Sequence, residues 1–107
     1  MTVLPDMVEF GEARRLGLRE LDPGDLLDLI EAAGSVMAGE AASAWLDYAQ
    51  MICSVSAIDG VPVPMPGTKD EIRALARRIG NDGLAALHPV FAEARAAEET
   101  MLDTAKN

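Results

Sequence analysis

Few side chains in this 107-residue chain could do chemistry, and their spacing narrows what that chemistry could be. General acid–base catalysis recruits titratable groups that converge in a pocket, most often with a histidine among them. Here the single histidine, His88, precedes Pro89 beside an apolar stripe, the setting of a structural histidine at a helix junction. Cys53, the single cysteine, has no base near it in sequence and falls on a helical stripe, so it reads as a small core residue. Alone it excludes an internal disulfide and a thiolate metal cluster. Asp22, Asp25 and Asp28 offer hard oxygen ligands, but calcium loops place theirs at every second position around an obligatory glycine. These acids stand instead at a helix start, where they favour the positive end of the dipole. Gly34, Gly39 and Gly60 are too scattered for a dinucleotide fingerprint, and no Gly-rich loop leads into Lys-Ser or Lys-Thr. The expectation is a non-enzymatic protein with no catalytic residue, no metal and no cofactor, which works by binding other proteins.

Charge narrows the partners. The net charge is −9, and residues 1–60 hold eleven acids against three arginines, whereas residues 61–107 hold seven acids against six bases. Such a surface repels phosphate backbones and anionic headgroups, so neither nucleic acid nor membrane is expected as a partner. Acidity also serves simply to keep a protein in solution. The N-terminus has neither a cationic leader nor a sustained apolar stretch, and no apolar run approaches the ~20 residues that span a bilayer. A cytoplasmic location is expected.

The elements that must position these residues read as helices. Half of the chain is hydrophobic but only Phe10, Trp45, Tyr48 and Phe91 are aromatic, and alanine is abundant. The expected fold is all-α, a single domain over residues 1–107 built as a bundle of four to five helices with a proline-rich connector. Residues 1–20 read as irregular, with a short strand within Ala13–Leu21 that puts Leu16 and Leu18 on one face. Asp22-Pro23 starts a helix whose core stripe is Leu26, Leu29, Ile30 and Ala33, and Gly34 ends it. The segment Gly39–Ile58 reads as the central helix, with Ala42, Trp45, Ala49, Ile52 and Ser56 on one face. Trp45 and Tyr48 there bring the largest apolar areas in the chain, and a solvent-exposed Trp45 would signal a binding surface.

Asp59-Gly60 is a turn, and the prolines of Val61–Pro66 exclude a central strand, leaving an extended strap from which Val61, Val63 and Met65 pack downwards. Thr68 to Glu71 matches a capping box, which predicts a helix over 69–79 with Ile72, Leu75, Ala76 and Ile79 inward and Gly80 at its end. A further helix follows with Leu84, Leu87, Phe91 and Ala94 as its stripe, broken or kinked at Pro89. Residues 92–107 form a protruding helix whose weak apolar face is chiefly Met101 and Leu102, so it depends on docking.

Three features in this order are similar to the small tail assembly chaperones of long-tailed bacteriophages and prophages. They are the Ile58-Asp59-Gly60 turn after a central helix, the Val61–Pro66 strap, and a later helix ending near Asn81-Asp82-Gly83. Arg19-Glu20-Leu21 matches a motif that ends a longer extended front segment in many such proteins. The resemblance spans roughly residues 20–92. It implies a chaperone that coats the long helical tape-measure protein, keeps it soluble, helps recruit tail-tube subunits and self-associates. Trp45, Tyr48, Ile52, Phe91, Met101 and Leu102 are the candidate partner-binding residues. A small acidic adaptor or inhibitor that occupies a basic site on another protein is the alternative.

Overall fold

Asp22 and Asp25 fix the first helix by a reciprocal pair of bonds, in which Asp25 N–H donates to the Asp22 carboxylate at 2.7 Å and Asp22 N–H donates to the Asp25 carboxylate at 3.0 Å. With Pro23 at its first position, helix α1 runs Pro23–Ala33, and Gly34 leaves it at φ 56° into a 3-10 turn, Gly34–Ala38. The computed structural model describes residues 4–106, with side chains as far as residue 96. Around α1 stand strands β1 (Met7–Phe10) and β2 (Arg14–Leu18), helix α2 (Ala42–Cys53), strands β3 (Val55–Ile58) and β4 (Val61–Pro62), and helix α3 (Lys69–Lys106).

The expected all-α bundle is therefore wrong. The chain is α+β, with a four-stranded antiparallel sheet in the order β1-β2-β3-β4, and α1 and α2 inserted between β2 and β3. The short strand expected within Ala13–Leu21 is present as β2, with Leu16 buried and Leu18 half-buried. The central helix expected to reach Ile58 stops at Cys53, where Ser54 turns its hydroxyl back to donate to Gln50 O at 2.7 Å and the next four residues form the strand beside β2. Ser56, which continues the helical stripe from Ile52 in the sequence, is instead the irregular residue of this strand. Gly17 pairs with Ala57 and Leu18 with Val55, so Ser56 is an extra residue in β3. This bulge shifts the alternation, and Val55 and Ile58, three apart as on a helix, are both buried.

Two hairpin turns carry the sheet. Asp59 and Gly60, at φ 51° and 85°, have the paired positive angles of a type I′ turn between β3 and β4. Gly11 to Ala13 form the three-residue loop between β1 and β2. Val8, Leu16 and Ile58 then lie opposite one another across three strands and enter one core with Leu29, Ala49, Ile52, Ile72, Leu75, Ile79 and Leu87.

The connector is extended as expected, and Pro62 sits on the outermost strand, where a missing amide costs no ladder bond. Val63 is buried and Met65 half-buried, but Val61 faces solvent. Thr68 Oγ1 accepts from Glu71 N–H at 3.1 Å, while the Glu71 carboxylate accepts from Gly67 N–H, one residue earlier than a standard capping box. The first part of α3 ends at Gly80, whose φ of 76° and ψ of 172° separate residues 69–79 from 81–106. Of the break or kink expected at Pro89, a break does not occur. Helical residues continue through it, and buried Leu87 with half-buried Val90 and Phe91 anchor the helix on either side of the lost backbone bond.

Candidate functional site

Helix α2 aligns Trp45, Ala49 and Ile52 at the three- and four-residue spacing that shares one face. The first part of α3 crosses this face with Ile72, Arg73 and Ala76. Between them lies an open cleft of about 150 Å³ lined almost wholly by carbon, with Ala49, Ile52 and Ile72 as its floor. Trp45, half-buried, and Tyr48, 44% exposed, line its α2 side, and Arg73 and Ala76 line its α3 side. Sites for small ligands usually enclose about 300 Å³ or more, so the cleft suits a protruding apolar side chain and not a metabolite.

Tyr48 also belongs to the next hollow along α2, of about 200 Å³, shared with Asp47, His88, Phe91 and Arg95. Its ring stands 6.1 Å from that of His88, tilted by 60°, and Arg95 reaches the Asp47 carboxylate at 3.8 Å. His88 is exposed on a helix and not at a junction, and the one carboxylate in its hollow already faces Arg95. Phe91 opens on its other side into a hollow of about 280 Å³ with Leu4, Glu20, Leu21 and Leu26.

Of the residues expected to bind partners, the structure brings Trp45, Tyr48 and Ile52 to one cleft and places Phe91 one hollow away. Ile52 is floor and not contact surface, being 3% exposed. Met101 and Leu102 lie in α3 with side chains outside the described residues. Ile72 and Ala76, read from the sequence as core, line the cleft. Ile30, also read as core, is 41% exposed.

Sequence reasoning missed Arg19 beyond its place in a motif. Its guanidinium donates from one terminal nitrogen to Val55 O and to Val63 O, both at 2.8 Å, tying β3 to the connector. Its Nε is buried without a partner among the described residues. Nearby Cys53 is fully buried, and burial pushes its thiol up to about 11, partly opposed by the Arg19 charge and reinforced by Asp25. Such a thiol is unreactive near neutral pH.

At the hairpin end, a polar hollow of about 410 Å³ gathers Glu9, Arg14, Arg15 and Asp59. Asp59 is already engaged there: its carboxylate accepts from Arg15 N–H at 2.9 Å and meets Arg14 Nε at 3.6 Å, and Arg14 lies 5.0 Å from the centre of the Phe10 ring. Among the described residues no group of three or more His, Cys, Asp and Glu could hold a metal ion, and no helix is long and apolar enough to cross a membrane. Comparison with protein-family models, curated proteins and solved structures gives no match.

Proposed function

We propose that this chain is a non-enzymatic tail assembly chaperone that receives an amphipathic helix of the tape-measure protein in the cleft between α2 and α3. The observation that supports this reading is an open, carbon-lined cleft beside the core, edged on its α2 side by Trp45 and Tyr48 and of a size to take one apolar ridge. A partner helix laid there would cover Trp45 and Tyr48, the residue types that carry most energy in protein interfaces. The acidic exterior would keep coated complexes apart through like-charge repulsion. The order of the Asp59-Gly60 turn, the proline strap and the Asn81-Asp82-Gly83 step supplies the resemblance behind the partner's identity, and with it recruitment of tail-tube subunits, self-association and a site of action in the host cytoplasm.

Co-expression tests it. A tape-measure protein encoded beside this chain is expected to move from the insoluble to the soluble fraction when the chain is present, and to co-purify with it. Failure to bind any tail component would refute the reading.

A further inference from the structure

Helix α1 carries a second apolar surface, turned away from the core. Leu29 and Ala33 face inward at 2% and 0% exposure, whereas Leu27 and Ile30 are 68% and 41% exposed. Three residues apart, these two share the outward face of the helix, and Asp28 and Glu31 run beside them. Both carboxylates are exposed, and among the described residues neither is in an ion pair.

The wider charge pattern reinforces this. From Glu20 to Thr68 the sequence holds eight acids and no lysine or arginine. Within that stretch Asp47 is met by Arg95 and Asp59 by Arg14, both outside α1, so the helix keeps its negative field. A single exposed leucine is ordinary. Two large aliphatic side chains on one helical face, bordered by unpaired acids, complement a surface that alternates apolar and cationic groups. A second copy packed α1 against α1 does not, since it would set Asp28 and Glu31 against their own kind in a molecule of net charge −9.

We propose that α1 is a docking ridge for a cationic amphipathic helix of a partner protein, separate from the cleft between α2 and α3. Leu27 and Ile30 enter the partner's apolar stripe, and Asp28 and Glu31 pair with flanking lysines or arginines.

The test titrates isotope-labelled full-length chain with two designed helical peptides of about five turns. Both carry a leucine stripe; one flanks it with lysines and the other with glutamates. The lysine peptide is expected to shift amide resonances along α1, with affinity that weakens as salt is added, and the glutamate peptide to leave them in place. Leu27→Ser with Ile30→Ser, and separately Asp28→Asn with Glu31→Gln, should each weaken binding about tenfold or more, with thermal midpoints close to wild type. Ala76→Glu, in the other cleft, should leave this titration unchanged, so the ridge and the cleft can fail independently. Equal response to both peptides, shifts centred on Trp45 and Ile72, or a wild-type dimer that Leu27→Ser dissociates would overturn the proposal.

Discussion

The junction of β3 with the connector and the cleft between α2 and α3 treat unsatisfied surface in opposite ways. At the junction the prolines remove amide donors, and Arg19 makes good the loss by giving two hydrogen bonds to Val55 O and Val63 O, while Val63 N–H donates to Ser56 O at 2.8 Å. There the chain's own groups meet the carbonyls that the prolines leave open. In the cleft, Trp45 is half-buried and Tyr48 remains 44% exposed, so apolar surface that folding could have covered stays available. The difference separates stability from binding. Substitutions at the sheet and its clamp should lower stability, whereas substitutions in the cleft should cost binding and leave the chain folded.

The largest effect is expected at Leu16, fully buried where the sheet meets the helices. Leu16→Ala removes its packing and leaves a cavity, which should lower the unfolding free energy in urea by about 2–5 kcal/mol. A mild loss would mean that the sheet is not the foundation drawn here.

Cys53 sharpens the same side of the comparison through pH. Its folded-state value of about 11 lies above the ordinary 9, so the folded protein holds this proton more tightly than the unfolded chain does. The contribution is fully present below pH 9 and is lost as the pH rises from 9 towards 11, by roughly 2–3 kcal/mol. Unfolding measured across that window should show the decline in the wild type, and Cys53→Ala should remove this component of it.

Arg19→Ala should cost about 1.5–3 kcal/mol by leaving two carbonyls without their charged donor. Arg19→Lys should restore part of that, since one ammonium nitrogen can also donate to both oxygens but sits on a shorter, more flexible stem than the planar guanidinium. Protection of the Val63 amide from hydrogen exchange should fall in both variants, and unchanged protection would show that the clamp does not hold the connector.

Much of the helical half was legible because its signals are local. Asp22 and Pro23, Gly34, Thr68 and Gly80 each carry a capping or chain-reversing preference that needs no distant partner, and the helices begin and end where those residues stand. The sheet was not legible in the same way. Ser56 falls at helical spacing from Ile52 although it is a bulge residue of β3, and β1 shows its strand character only once β2 lies beside it. One signal was available: Asp-Gly between two short β-prone runs marks a type I′ hairpin, and reading Asp59-Gly60 so would have made Val55–Ile58 a strand. Pro89 misled in the opposite direction, because anchoring on Leu87 outweighs one missing bond.

The candidate site was legible in part. Trp45 and Tyr48 stand out by size alone, but sequence periodicity cannot say whether the stripe of Ile72 and Ala76 meets them completely or leaves a gap. Arg19 was hidden for a related reason, since its acceptors are backbone carbonyls 36 and 44 residues away.

The most direct measurement is of Ala76→Glu, which sets a carboxylate inside the carbon-lined cleft at a half-buried helix position. The chain should stay folded, with urea unfolding lowered by about 1 kcal/mol, while capture of the co-expressed tape-measure helix should be lost. Undiminished capture by a folded Ala76→Glu chain would contradict the account, because the partner would then be held elsewhere.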